Sequence, residues 1–508
     1  MNNSREGRPL PRCLQVASAA EHWNAPLDTR DLATRLETDG VTDDVAASDF
    51  GYTTTWDMAE AWLPRLLALQ PVERAREKRH ASWRDYATGI SFALPLLCSI
   101  VVFTLFHVAL WGGDLSSEEA AAVGLGTVVS FLLTGGWVQA MTRRGHFFMG
   151  TKQFRRAEQS TWHWMRLSSS VLGVSVLMLF LMSSYWGWLP VRLGLTAAAF
   201  SAALGFLWLA TGTLHIHERG VMVVWVTLGG IALVGILHQA FGLPLLPSQL
   251  LAIVISALAS LAIASHFFTQ QLEKSPGVPF QSSLLRDIYN LWPYFTYGIL
   301  YYILLFSDRL MAWTAGTYAS ALLIEFRGGY ESALNIGLLA FVFQVGWVHY
   351  AVAGFYRKIA EAESHYDIDA VAEFRDSMRR YYWIRLAWFT PIPLAAGALS
   401  FGIAYLAGYL KGDTATMIAL WSLGGFPFLV VGLWNVSLLF GLNNASKATA
   451  AAAMAGVVNI CTGYIASRIG GYPYAVVGFT VGSIAFALLS GVFSLRALRR
   501  LDYFHFNS

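Results

Sequence analysis

Twelve long apolar runs follow one another along the chain, separated by short polar segments. A helix of about 20 mainly apolar residues spans the hydrocarbon core of a bilayer. The pattern therefore predicts an all-α polytopic membrane protein with about twelve transmembrane helices. We place these helices at roughly 87–111, 120–141, 167–189, 191–214, 219–241, 246–268, 291–316, 332–353, 382–410, 415–441, 446–467 and 472–495.

The composition supports this class. The chain has 508 residues, of which 55% are hydrophobic and 13% are charged. Soluble domains are about 25% charged, so this chain has too few polar side chains to cover a soluble surface. A typical soluble enzyme, a disulfide-rich secreted scaffold and a disordered chain are excluded. The three cysteines lie far apart in the sequence, and we expect free thiols.

The distribution of Lys and Arg predicts the orientation. With the amino terminus in the cytoplasm, 29 of the 35 Lys and Arg residues fall on the cytoplasmic side and 4 on the outer side. Membrane proteins keep an excess of these residues in their cytoplasmic loops. We therefore expect a multi-pass protein of the bacterial inner membrane with both termini in the cytoplasm.

The two halves of the chain resemble each other. Long basic stretches, predicted as loops, follow the second and the eighth apolar run, at 142–166 and 354–381. Their equivalent positions indicate two six-helix repeats, at 85–268 and 291–500, joined by a cytoplasmic linker at 269–290. Internal repeats of this kind are typical of transporters.

The termini are polar. Residues 1–27 are predicted to be a disordered tail, and 501–508 a cytoplasmic tail. Residues 28–84 lie between the amino-terminal tail and the first span. They should form a small cytoplasmic cap of short helices, followed by a basic juxtamembrane helix. Exposed Trp56 and Trp62 on this cap would suit docking of a cytoplasmic synthase or glycosyltransferase.

Asp308 is the most informative single residue because it lies inside an apolar run. A carboxylate in the hydrocarbon core costs several kcal/mol unless it is paired, protonated or in contact with water. We predict that Asp308 faces a hydrated cavity, with a structural ion pair as the alternative. Neighbouring Arg309 should extend its side chain to the outer interface. The predicted path for substrate or ions has seven residues: Asp308, Arg309, Tyr301, Trp313, Tyr330, Glu331 and Asn335.

No enzyme site or cofactor site is evident. His215 and His217 are two residues apart and would point to nearly opposite sides of a helix, which disfavours a shared metal ion. No Walker motif is present, so the chain does not hydrolyse ATP itself. We predict no catalytic residues, no metal site, no cofactor and no nucleic-acid partner.

Several residues around Asp308 resemble a known pattern. Tyr297-Gly298, Tyr301-Tyr302, Asp308-Arg309, Trp313 and Tyr330-Glu331 are similar to the Pel-type exopolysaccharide exporters (the PelG-like family). That family belongs to the superfamily of multidrug, oligosaccharidyl-lipid and polysaccharide exporters. The resemblance implies two six-helix bundles around a central cavity, which move a polysaccharide or lipid-linked saccharide through the inner membrane by alternating access.

Two other classes stay open. A major-facilitator-like transporter of small solutes would also have twelve spans. The other is a membrane-embedded glycosyltransferase or acyltransferase. Membrane glycosyltransferases usually have large outer loops with a catalytic carboxylate, and Asp114 or the pair Glu118 and Glu119 could mimic one. The outer loops are too short to hold a soluble domain, and this favours a transporter.

Overall fold

The fold was analysed in a computed structural model that describes residues 29–38, 41–68, 83–106, 108–274, 284–316, 324–363, 371–389, 391–408, 410 and 412–500. The predicted tails and most of the predicted basic juxtamembrane helix lie outside these residues. The chain divides into two compact units, Met1–His80 and Ala81–Ser508.

The small unit contains three short helices. They are α1 (Thr29–Thr38), α2 (Asp43–Val45, continued by a π-helical turn at Ala46–Phe50) and α3 (Thr55–Ala68). Their apolar side chains form a small core that includes Leu32, Leu36 and Met58. Trp56 is 49% exposed, whereas Trp62 packs against this core, so only the first matches its predicted exposure.

Asp43 joins two of these helices. Its carboxylate accepts a hydrogen bond of 2.7 Å from the backbone N–H of Thr55, the first residue of α3. Hydrogen bonds from Thr55 favour the ionised form and lower the pKa of Asp43. The Thr55 hydroxyl donates in turn to the carbonyl of Val41, 3.1 Å away.

The large unit is built almost entirely of long helices. They are α4 (Trp83–Phe106), α5 (Ser117–Gly150), α6 (Phe154–Tyr185), α7 (Val191–Ile216), α8 (Gly220–Gly235, continued by a π-helical turn at Ile236–Ala240), α9 (Leu245–Lys274), α10 (Leu284–Trp313), α11 (Gly328–Glu363), α12 (Val371–Trp388), α13 (Pro391–Leu406), α14 (Asp413–Gly441), α15 (Ala445–Gly470) and α16 (Ala475–Leu498). A two-stranded hairpin pairs β1 (Val108–Ala109) with β2 (Gly112–Gly113).

The described residues contain ten helices, or eleven with the bent α4, that are long and apolar enough to cross a membrane. In this count α12 and α13 form one span, and α4 bends by 48° between Asp85–Ser91 and Ala93–Phe103. Pro95 lies just past the bend, where its ring crowds the carbonyl one turn earlier. The remaining predicted span, 291–316, corresponds to α10. Its Tyr, Trp and charged residues lower its mean hydropathy, so it is not among the ten or eleven.

Helices extend far into the two predicted basic connections. α5 continues to Gly150 and α6 begins at Phe154, so only three residues of 142–166 lie between helices. Likewise α11 continues to Glu363, well into the predicted loop 354–381. Charged residues mark where the membrane ends, but a helix satisfies its own backbone hydrogen bonds and can continue into water. The predicted linker 269–290 is also too long, because α9 ends at Lys274 and α10 starts at Leu284.

The large unit contains the predicted two repeats. In the first half α4 packs on α8, α5 on α7, α7 on α9, and α8 on α9. In the second half the equivalent pairs are α10 on α15, α11 on α14, α14 on α16, and α15 on α16. The same packing pattern therefore occurs twice, and α4 and α5 of the first bundle correspond to α10 and α11 of the second.

The bundles meet at two equivalent helix crossings, α5 with α10 and α4 with α11. Glycine allows close approach at both. A Cβ atom on Gly136 of α5 would lie 2.6 Å from the carbonyl oxygen of Phe295 in α10. A Cβ on Gly346 of α11 would lie 2.7 Å from the Ile90 side chain and 3.1 Å from the Tyr86 carbonyl oxygen in α4.

One of the acidic residues considered for an enzyme, Glu119, takes part in capping a helix. Ser116 caps α5, and its side chain forms a reciprocal capping box with Glu119. Glu119 also lies 3.5 Å from Arg192. These contacts thus stabilise the amino-terminal end of α5.

Candidate functional site

Asp308 lies in α10, one turn before the helix ends at Trp313, and its side chain is completely buried. Tyr330, near the start of α11, donates its hydroxyl to Asp308 Oδ2 at 2.8 Å. Asp308 Oδ1 is buried and accepts no hydrogen bond from the described residues. A buried carboxylate oxygen without a donor is energetically costly, so this oxygen is suited to a proton or a cation.

The neighbouring Arg309 belongs to a second set of contacts. Its Nε donates to Glu331 Oε2 at 2.9 Å, and Trp313 Nε1 donates to Glu331 Oε1 at 3.0 Å. The Arg309 and Glu331 side chains are only 8% and 16% exposed. Both oxygens of this carboxylate are therefore satisfied, and the ion pair ties α10 to α11.

These positions correct two expectations. Arg309 does not extend to the interface, because Glu331 binds it within the protein. Asp308 and Tyr330 have no exposed surface, so Asp308 does not face an open hydrated cavity in this conformation. Trp313 is also buried and cannot offer its face to a sugar here. More exposed is the pair of Arg327 and Glu325, 2.7 Å apart.

We call the five residues Asp308, Arg309, Trp313, Tyr330 and Glu331 the Asp308 cluster. The two other predicted path residues lie outside it. Tyr301 is half-buried on α10, where its ring lies 6.2 Å from that of Tyr297 and 5.3 Å from that of Tyr302. Asn335 is half-buried on α11, one turn after Glu331. The structure thus brings five of the seven predicted residues together and leaves Tyr301 and Asn335 outside.

A row of aromatic rings connects the cluster to the first bundle. Trp208 of α7 stacks on Phe131 of α5, with centroids 4.6 Å apart. Phe131 stacks in turn on Tyr302 and Phe306 of α10, at 4.8 and 5.2 Å. The Arg309 guanidinium lies over Phe306, 4.9 Å from the ring centroid. All four rings retain some exposure.

Two ion pairs join the bundles on one side of the large unit. Arg144 of α5 lies 2.7 Å from Asp287 of α10, and Arg357 of α11 lies 2.6 Å from Asp85 of α4. They use the same two helix crossings, so one pair is the repeat equivalent of the other. We call the side on which they lie the basic side; it is the side that the Lys and Arg bias assigns to the cytoplasm.

Our sequence reasoning missed these crossings, although the sequence contains a signal for them. Phe131 is followed five residues later by Gly136-Trp137-Val138, and Phe341 is followed at the same spacing by Gly346-Trp347-Val348. The two segments are equivalent parts of α5 and α11. The repeated Phe and Gly-Trp-Val positions within the apolar runs therefore indicate the crossings, whereas the basic stretches do not.

Two other buried polar residues, Asn435 and Asn459, hold helices together. Tyr382 donates to Asn435 Oδ1 at 2.9 Å, and Asn459 Nδ2 donates to the Leu304 carbonyl at 2.7 Å. Over the part of the chain that the structure describes, no three His, Cys, Asp or Glu side chains are placed to hold a metal ion.

The packing pattern, the paired crossings and the buried acidic cluster define a two-repeat helical membrane protein. This is the fold of the MATE transporters of the MOP superfamily. A variant of the Vibrio cholerae MATE transporter VcmN superposes with a TM-score of 0.61 at 15% identity, covering 82% of this chain and 96% of that chain.

Two further structures, of a multidrug resistance MATE family transporter of the MOP superfamily, match with a TM-score of 0.56. The inward-facing one is 15% identical and the outward-facing one 18%, and they cover 82% of this chain and 95% and 97% of theirs. No family model and no curated protein matches the sequence. At these identities the likeness establishes the fold.

Proposed function

We propose that this protein is an alternating-access transporter of the bacterial inner membrane that exports a polysaccharide or a lipid-linked saccharide. The two equivalent ion pairs across the bundle crossings are the observation that carries the transport mechanism. They hold the basic side closed, and opening that side requires both to break. The fold is shared with one MATE family transporter structure in an inward-facing conformation and another in an outward-facing conformation.

The saccharide substrate is supported by two observations. The residues around Asp308 resemble the Pel-type exporters, and the row of partly exposed rings crosses from the first bundle to the second. Aromatic faces stack well on the apolar faces of sugar rings. A cytoplasmic synthase or glycosyltransferase would supply the polymer and could dock on the small unit.

Asp308 is the proposed coupling residue. Its Oδ1 lacks a donor among the described residues, so it can take up a proton or cation in one conformation and release it when a conformational change exposes the site. Arg309 and Glu331 neutralise each other beside it and keep the local charge balanced. The motion of α10 against α11 would then be linked to the charge on Asp308.

The test is Asp308→Asn, which retains the acceptor for Tyr330 and removes the charge. Because Arg309 is paired with Glu331, the variant leaves no buried cation alone, and we expect normal membrane abundance. Secreted polysaccharide should fall at least tenfold, with a milder loss for Asp308→Glu. Normal export at normal abundance would remove the coupling role.

A second candidate is extrusion of small organic compounds, favoured by the structural match to a multidrug resistance transporter. Deleting the gene distinguishes the two. Loss of secreted polysaccharide with unchanged drug sensitivity supports saccharide export. Increased drug accumulation with unchanged polysaccharide supports the second candidate.

A further inference from the structure

A polar pocket lies at the basic side of the first bundle, away from the Asp308 cluster. It is formed by the turn between α7 and α8 and by the last turns of α9. The cavity has a volume of about 160 Å³. Its lining consists of His217, Arg219, Phe267, Gln270 and Gln271.

His217 is the unusual member of this lining. Its side chain is 9% exposed, and neither ring nitrogen has a hydrogen-bond partner among the described residues. The edge of the ring lies against Phe268, with centroids 4.3 Å apart. Gln271 Oε1 is likewise buried without a partner there. Buried polar groups normally find partners, so these groups point to a polar ligand.

The pocket is also electropositive. The Arg219 guanidinium lies over Phe267, 5.4 Å from the ring centroid, and α8 begins at the next residue, Gly220. The amino terminus of a helix carries a partial positive charge and favours anions. Burial, with a contribution from the charge of Arg219, lowers the pKa of His217 to about 4. The neutral ring can then donate one hydrogen bond and accept another.

The position of the pocket indicates where its ligand comes from. α7 ends at Ile216 and α8 begins at Gly220, so the turn between them lies where two membrane spans end. Just beyond the turn, α8 exposes the apolar side chains of Val221 and Trp225 by 54% and 66%. An acyl chain can lie along these residues while a headgroup occupies the pocket.

We propose that this pocket binds the phosphate group of an anionic phospholipid. Arg219 and the amino terminus of α8 would neutralise the phosphate, and His217 and Gln271 would hydrogen-bond to its oxygens or to the rest of the headgroup. Basic pockets between helices on the cytoplasmic side of membrane proteins bind lipid headgroups in this way.

The test is native mass spectrometry of the purified full-length protein with phosphatidylglycerol, phosphatidylcholine or inorganic phosphate. We expect phosphatidylglycerol to bind several-fold more tightly than phosphatidylcholine. Arg219→Gln should weaken phosphatidylglycerol binding about tenfold, because it removes the exposed cation without disturbing the core. The matched control is Arg155→Gln, an exposed arginine at the start of α6, which should leave binding unchanged.

A second variant, His217→Phe, retains the ring and removes its nitrogens, and it should also weaken phosphatidylglycerol binding. Displacement of this lipid by excess inorganic phosphate would support recognition through the phosphate group. Equal binding of the two lipids, or wild-type binding by both variants, would overturn the proposal. Binding of inorganic phosphate without any lipid preference would overturn the assignment to a lipid.

Discussion

Arg309 and Glu331 form a nearly buried ion pair, and each depends on the other. Removing one partner of such a pair leaves an uncompensated charge and costs about 3–5 kcal/mol. We therefore predict that Arg309→Gln and Glu331→Gln each lower membrane abundance and thermal stability. The double variant, which removes both charges of the pair, should recover part of the loss. Immunoblots and melting of the purified protein measure both effects.

The control for this prediction is Arg327→Gln. Arg327 forms an ion pair with Glu325, and their side chains are 22% and 39% exposed. A partly exposed pair contributes less than a buried one, so this variant should lose clearly less abundance than Arg309→Gln or Glu331→Gln. A double variant of Arg309 and Glu331 as unstable as the single variants would show that the pair is not the source of the effect.

That Asp308 needs a partner inside the protein was predictable from the sequence, because a carboxylate in an apolar run is costly wherever it lies. Its partner was not predictable. Asp308 and Arg309 are adjacent, yet they face different groups on α11, Tyr330 and Glu331. The partner of each residue depends on how α10 and α11 are rotated against each other, and the packing of the whole unit determines this rotation.

At the scale of elements, the glycines at the two crossings allow a testable comparison. In Gly136→Ala and in Gly346→Ala, the new Cβ atom would meet the opposite helix at 2.6 and 2.7 Å. Overpacking of this kind costs about 1–3 kcal/mol. We predict lower thermal stability for both variants and lower transport, since the bundles can no longer approach fully.

Gly229 provides the matched control, since it lies inside α8 and a Cβ there would meet nothing within 4 Å. Gly229→Ala should be neutral or slightly stabilising, because alanine favours the helix by about 1 kcal/mol. Differential scanning calorimetry of the purified variants compares their melting temperatures. If Gly136→Ala and Gly346→Ala melt like Gly229→Ala, the crossings are looser than described.

The positions of the helices could be predicted well and their ends poorly. Apolar runs such as 120–141 lie within helices because the membrane requires both apolar side chains and internally paired backbone. α5 nevertheless continues to Gly150 through Arg143 and Arg144. Charge indicates where the membrane stops, while the helix ends only where its hydrogen bonds are replaced, here at a turn with Lys152 at φ 56°.

At the scale of the whole molecule, the two ion pairs on the basic side predict a shift between conformations. Asp85→Asn with Asp287→Asn removes both pairs. Because Arg144 and Asp287 are mostly buried, this variant should also lose stability, and labelling is compared at equal amounts of folded protein. A change of 1–2 kcal/mol alters a two-state population about 5- to 30-fold. We expect Tyr294→Cys, in a variant without the native cysteines, to react several-fold faster with a water-soluble maleimide. Tyr294 is 6% exposed in the closed arrangement.

The control removes an ion pair that does not join the bundles. Glu119→Gln breaks the contact between Glu119 and Arg192, both in the first bundle. It should leave the labelling rate at Tyr294→Cys unchanged. Equal labelling in the absence and presence of the two aspartates would mean that other contacts close the basic side.

Orientation is a further property of the whole molecule. The proposed topology places residue 114 outside and the carboxyl terminus inside. A phosphatase reporter fused after residue 114 should be active, and one fused after residue 508 inactive, with the reverse for a cytoplasmic reporter. An outer carboxyl terminus would contradict both the twelve spans and the charge assignment.

The long sequence separation within the two ion pairs has a consequence for biosynthesis. Arg357 follows Asp85 by 272 residues along the chain, and Asp287 follows Arg144 by 143 residues. At about 5–20 residues per second, Arg357 is added to the nascent chain roughly 14–54 s after Asp85. The two ion pairs therefore form only after the second half has been made. A chain terminated before α10 should be a substrate for membrane quality-control proteases.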